Sequence, residues 1–203
     1  DLIRAKELGV KVVHRSELLA SHVNRYRTIA VSGTSGKSSV TAMIYEILKF
    51  AGKSPSVITG GAILSLAEHG YVGNVAKGES DLLVIEADES DGSFVNYHPY
   101  AAVLLNITKD HKEMDVLYGY FDKFRANCKN FIINGDEKNL ARYKDVKSFG
   151  INGGDTRAVN IHLDGFKSTF SVGAVNFEIH HPGKYNVQNA AAAIAVCTAL
   201  GVD

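Results

Sequence analysis

The chain has 203 residues, 45% of them hydrophobic, enough for the core of one domain, or of one domain and a fragment of another. Lys+Arg and Asp+Glu balance at 22 each, so no net field gathers nucleic acid or an anionic membrane surface, and neither is expected as a partner. No apolar run approaches the roughly 20 residues that span a bilayer, and the opening residues do not read as a signal peptide, so a cytoplasmic protein is expected.

The chain opens on DLIRAKELG and stops just after ALG, and both ends read as cuts in a longer protein. Residues 1–27 read as the tail of an upstream domain: a short helix Leu2–Leu8 closed by Gly9, a short strand Val10–Val13, and a second helix Arg15–Val23. His14 and His22 stand alone and read as surface or packing residues.

From Thr28 the pattern alternates. Strand candidates are Thr28–Val31, Ser56–Ile58, Leu82–Ile85, Ala101–Leu105, Phe131–Ile133 and Val146–Phe149. They are short and apolar throughout, as strands covered on both faces are. A helix from about Lys37 to Ala51 carries Val40, Met43, Ile44, Ile47 and Leu48 on one face, with Gly52 as its stop. A second, Glu113–Lys129, carries Leu117, Tyr120, Phe121 and Phe124. Residues 157–180 hold short β-branched and aromatic runs separated by Gly165 and Gly173, a small antiparallel meander. An alanine-rich helix, Val187–Leu200, follows and stops at Gly201. The fold class is therefore α/β: a mainly parallel sheet of about six strands with helices on both faces, plus the meander. Cys128 and Cys197 fall in helical runs without metal spacing and read as buried free thiols.

Four stretches carry chemistry. Val31–Ser39, VSGTSGKSS, lies between a strand and a helix, the layout of a phosphate-binding loop. Glycines let several N–H groups turn toward one anion, and the helix adds its positive end. Lys37 would meet the β/γ-phosphates and the Ser38 hydroxyl a Mg²⁺ ion. The long form G-x-x-x-x-G-K-[ST] wants glycine where Val31 stands, so the short form Gly33–Ser38 remains. Leu82–Asp91, LLVIEADESD, is an apolar strand ending in carboxylates. Glu86, first past the buried run, is where a Mg²⁺ ligand belongs; Asp88, Glu89 and Asp91 read equally well as a solvated turn. Asn106–His111, NITKDH, puts an amide and an imidazole at another strand end, where His111 alone would more often be a turn residue. In Gly183–Ala195, Asn186 and Asn189 stand at a helix mouth, placed either to meet a purine edge or to cap the helix.

GTSGKS (Gly33–Ser38), EADESDGSF (Glu86–Phe94), NITKDH, NGDE (Asn134–Glu137) and YNVQNAAAAIA (Tyr185–Ala195) occur in the order found in the central, ATP-binding domain of the Mur ligases. The chain resembles that family over nearly its whole length. EADESD with a following Ser-Phe is most similar to the alanine-adding branch, and the upstream GVKVVHRSELLA resembles the end of that branch's UDP-binding domain. The resemblance implies residues 28–203 as the central domain, 1–27 as the end of an N-terminal UDP-binding domain, and a C-terminal ligase domain outside this chain. It implies ATP and Mg²⁺ as cofactors, and a UDP-sugar carboxylate and an amino acid as substrates held largely by the missing domains. Gly33, Thr34, Ser35, Gly36, Lys37, Ser38 and Ser39 would cradle the phosphates, with Asn106 beside them. Ser38 and Glu86 would hold one Mg²⁺ and His111 a second. Asn186, with Tyr185 and Asn189, would lie against adenine. Lys37, Glu86 and His111 would carry the catalysis.

The departures from the branch are Ser35 and Tyr185, each where it has His, Ser38 where it has Thr, and KEMDVLYGY after His111. Related branches carry a carbamylated lysine near the position of Phe121; the alanine-adding branch lacks it too. The implied activity is ATP-dependent amide formation through an acyl phosphate. The alternatives are a muropeptide-recycling ligase, another Mur-like ligase, a binding-only relic and a phosphate-loop NTPase of other function. Asn106–Asp110 does not have the spacing of a guanine-reading N-K-x-D motif.

Overall fold

The computed structural model describes residues 1–68, 72–90, 92–109 and 113–202. Ten strands form one sheet: β1 (Arg27–Ser32), β2 (Ser56–Ile58), β3 (Val75–Ala76), β4 (Leu82–Ala87), β5 (Ala101–Leu104), β6 (Asn130–Asn134), β7 (Lys147–Gly150), β8 (Thr156–Leu163), β9 (Ser168–Val172) and β10 (Val175–Ile179). Their order across the sheet is β10-β9-β8-β7-β6-β5-β1-β4-β2-β3. The run from β2 to β8 is parallel, and β3, β9 and β10 pair antiparallel at the two edges. The expected meander is present. It is no separate unit, since β8 pairs with β7 and extends the parallel sheet.

Helices α1 (Leu2–Glu7), α2 (Arg15–Val23), α3 (Lys37–Phe50), α4 (Leu64–Ala67), α5 (Met114–Ala126) and α6 (Lys184–Ala199) accompany it. Side chains alternate across the central strands as the pleat requires. Ile29 and Val31 join the core under α3 and α6, whereas Ala30 joins the opposite core under α2 and α5. On α3, Val40, Ile44 and Leu48 are buried at four-residue spacing. On α5 the buried stripe is Leu117, Phe121 and Phe124. Alanines 190–193 and 195 let α6 lie close to both α3 and the sheet.

Val10–Val13 forms no strand. These residues are exposed, and no neighbouring strand offers them a hydrogen-bond ladder. An apolar run of this length is read as a strand only if a sheet edge lies beside it.

Parallel pairing has one consequence for function. β5, β1, β4 and β2 are adjacent and point the same way, so the loops after them leave from one edge of the sheet. The connection β1–α3–β2 crosses one face and β4 to β5 returns over the other, and such a reversal opens a crevice at the carboxyl ends.

Candidate functional site

The loop after β1 curls around Gly33 and Gly36, with φ of 137° and 90°. A methyl group at Gly36 would stand 2.6 Å from Tyr185 Oη and 2.9 Å from Asn189 Oδ1, so two residues of α6 press directly on the loop. Gly36 caps α3 without a side-chain acceptor, so no cap competes for the helix's first N–H groups. Ser35, Ser38 and Ser39 are exposed beside them.

The β5 loop fixes this curl from the other side. Asn106 Oδ1 accepts from Ser35 N at 2.9 Å and Nδ2 donates to Ser35 O at 3.0 Å. Thr34 Oγ1 accepts from Thr108 N at 3.0 Å. Both ends of the Asn106 amide are thus committed to the loop backbone. His111 and Asp91 lie outside the described residues.

Glu86 stands opposite Val31 in the β1–β4 register, one residue short of the strand's end. Its Oε1 accepts a hydrogen bond from Thr59 Oγ1, at the end of β2. Its Oε2 lies 3.1 Å from where a Cβ on Gly60 would be, and the Ser38 side chain 3.3 Å from the same point on Gly61. The Gly60–Gly61 bend thus packs closely against Glu86 at one glycine and against Ser38 at the next, where a side chain would crowd both. Hard oxygen donors of this kind suit Mg²⁺, which keeps several waters and needs only one or two protein ligands. Sequence reasoning missed Thr59 and the two glycines; TGG directly after a strand was the available signal.

Lys37 is nearly buried. Its Nζ donates to Gly33 O at 2.7 Å and to Glu89 Oε2 at 3.1 Å, with Asp88 Oδ1 at 3.7 Å. The turn bearing these acids is anchored further on by Phe94, fully buried against Phe121 and Phe124 with ring centroids 5.3 and 4.9 Å away.

The residues expected at adenine divide. Asn186 lines a cavity of ≈ 520 Å³ with Ser38, Ser39, Met43, Glu46 and His181, on the α3 flank of the loop. Tyr185 and Asn189 instead touch Gly36. Burial pushes the Tyr185 hydroxyl's pKa above the ordinary tyrosine value. Asn189 is buried, and its Nδ2 has no hydrogen-bond partner among the described residues. NGDE fastens the start of α6. Asp136 accepts from Ile151 N at 2.7 Å, from Asn152 N and Gly153 N at 3.0 Å, and from Gln188 Nε2 at 3.1 Å. A second cleft of ≈ 230 Å³ lies across Glu86, lined by Arg15, Thr59, Gly60, Ser90, Ser93 and Tyr97.

A glycine loop and helix N-terminus at the switch point of a parallel sheet, with a lysine and a strand-end carboxylate, have the layout of the phosphate-loop class of α/β domains. The profile of the Mur ligase middle domain matches residues 31–197, and the chain belongs to that family. It is 36% identical over 223 aligned residues to a UDP-N-acetylmuramate–L-alanine ligase of Paenarthrobacter aurescens, covering 100% of this chain and 47% of that protein. The alanine ligase structure from Thermotoga maritima superposes with a TM-score of 0.86 at 28% identity, over 99% of this chain and 48% of the other. The Neisseria ligase that acts with L-alanyl-γ-D-glutamyl-meso-diaminopimelate shares the fold, with a TM-score of 0.79 at 22% identity, over 100% of this chain and 70% of that one. The chain thus spans about half the length of the curated relatives it matches.

Proposed function

We propose that the chain is the central ATP-binding domain of an ADP-forming ligase that joins L-alanine to the carboxylate of UDP-N-acetylmuramate in peptidoglycan synthesis. Residues 1–27 would close an upstream UDP-binding domain, and a C-terminal domain of the parent protein would carry the amino acid. The observation that supports this reading is the placement of Lys37 and Ser38 after β1 and of Glu86 at the end of the adjacent parallel β4, in a chain matched along its full length by alanine ligases. In this reading Gly33–Ser39 wraps the triphosphate, and Asn106 holds the loop's shape by clamping Ser35. Asn186 meets the purine from the cavity beside α3, whereas Tyr185 and Asn189 support Gly36. Ser38 and Glu86 would hold Mg²⁺, and His111 a second ion. Bound there, Mg²⁺ neutralises charge on the phosphate oxygens.

The chain's own share of the chemistry is electrostatic. The substrate carboxylate oxygen attacks the γ-phosphorus as the bond to ADP breaks, giving an acyl phosphate. The amine then attacks the acyl carbon, phosphate leaves with the bonding pair, and the amide forms. Lys37 offsets charge on the transferred group, and the loop's N–H groups fix its position. No side chain here needs to form a covalent bond.

The test is a panel on the parent protein, pairing UDP-sugar carboxylates with amino acids and peptides and reading phosphate release. Release is expected with UDP-N-acetylmuramate and L-alanine, and its loss in Lys37→Ala. Release that needs a tripeptide would make the protein a recycling ligase; release without any amine would make it a plain NTPase.

A further inference from the structure

Lys37 already has an anion. Glu89 reaches back from the turn after β4 to its ammonium, and the two side chains are only 12% and 16% exposed. Among the described residues, the other groups on Nζ are Gly33 O, within the loop itself, and the more distant, 60%-exposed Asp88 carboxylate. An ammonium has three donors, and here two are spent on the loop carbonyl and on Glu89. Glu89 is thus the charged partner at hydrogen-bond distance from Nζ among the described residues.

We propose that Glu89 is an affinity-setting residue of the nucleotide site. It substitutes for phosphate on Lys37 in the empty protein, and it must release Lys37 when a triphosphate enters. This rests on the reading of Gly33–Ser38 as the triphosphate loop. Two physical arguments support it. A nearly buried ammonium without a counter-ion is costly, so the Glu89 carboxylate supplies that counter-ion and holds the Lys37 side chain in place while no nucleotide is present. A carboxylate left beside an entering triphosphate repels it, so the exchange opposes binding. Glu89 lies two residues past the end of β4, outside the strand ladder, so its side chain can leave Lys37 without breaking a sheet hydrogen bond.

The experiment is titration of ATP·Mg²⁺ into the 203-residue chain, comparing wild type with Glu89→Gln, Glu89→Ala and Asp88→Asn, each checked for folding by thermal melting. Loss of the Glu89 carboxylate is expected to tighten ATP binding about tenfold while lowering the melting temperature of the empty protein. A merely structural glutamate would weaken binding when replaced. Asp88→Asn removes a charge from the same turn without freeing Lys37, and should change affinity less than about threefold. If one Glu89 variant misfolds, the other carries the test. Unchanged or weaker binding in the Glu89 variants, or equal tightening in Asp88→Asn, would overturn the proposal while leaving the loop's assignment standing. ATP binding in no form, or undiminished in a Lys37→Ala control, would overturn the loop assignment and this inference with it.

Discussion

Asn106 and Gly36 show how single residues shape the loop. Asn106 spends its whole amide on Ser35, so its contribution is to the loop's curvature. Gly36 combines a left-handed backbone with contact from α6, and both conditions exclude a side chain. Gly36→Ala should cost about 1–2 kcal/mol of stability from backbone strain alone. It should weaken ATP binding more than tenfold, read by denaturant melts and by titration. The glycine loop between β1 and α3 and the position of Glu86 near the end of β4 were legible in the sequence because glycine spacing and a carboxylate late in an apolar strand are local patterns. The Lys37–Glu89 pair was not, since it joins residues 52 positions apart through a turn that reads equally well as solvated. The split between Asn186 and Tyr185/Asn189 escaped for another reason. One helical turn carries them to different sides of the loop, and which side depends on how α6 docks.

At the scale of elements, two anchors hold the site in place. Phe94 joins the acidic turn to α5 through its aromatic contacts, and Phe94→Ala should lose about 3–5 kcal/mol in equilibrium unfolding. Asp136 ties the turn after β7 to α6 by accepting three backbone N–H groups and Gln188. Asp136→Ala leaves those donors without an acceptor and should cost about 1–3 kcal/mol, seen as a lower melting temperature. The motif NGDE was visible as a string, but its clamping role needed the turn at residues 151–153 in place. The helices α3 and α5 were readable from period, and the central strands from short continuous apolar runs. Val10–Val13 was misread because a strand is defined by its neighbour. Val75–Ala76 was missed because two residues carry no period.

For the whole molecule, one sheet separates two cores and gathers four loops at one edge. The meander's fusion to that sheet was hidden because strand pairing between β7 and β8 leaves no local mark. Burial pushes the Cys128 thiol up to about 11 and Cys197 to about 12. Both folded values lie above the ordinary 9.0, so unfolding releases protons once pH passes that value. Stability is therefore constant with respect to these thiols below about pH 9 and falls as pH rises toward their folded values. Denaturant melts at pH 8 and pH 10 check the sign; Cys197 is buried as expected whereas Cys128 is only half-buried, so a thiol reagent at pH 8 should label Cys128 slowly and Cys197 only when the protein unfolds. Among the described residues no helix is long and apolar enough to cross a membrane.

The central claim is that Gly33–Ser38 grips the triphosphate of ATP through Lys37. Calorimetric titration of ATP·Mg²⁺ into wild type and Lys37→Ala tests it most directly. Saturable one-site binding in wild type that drops at least a hundredfold in Lys37→Ala is the predicted result. Equal affinity in the two proteins would contradict it.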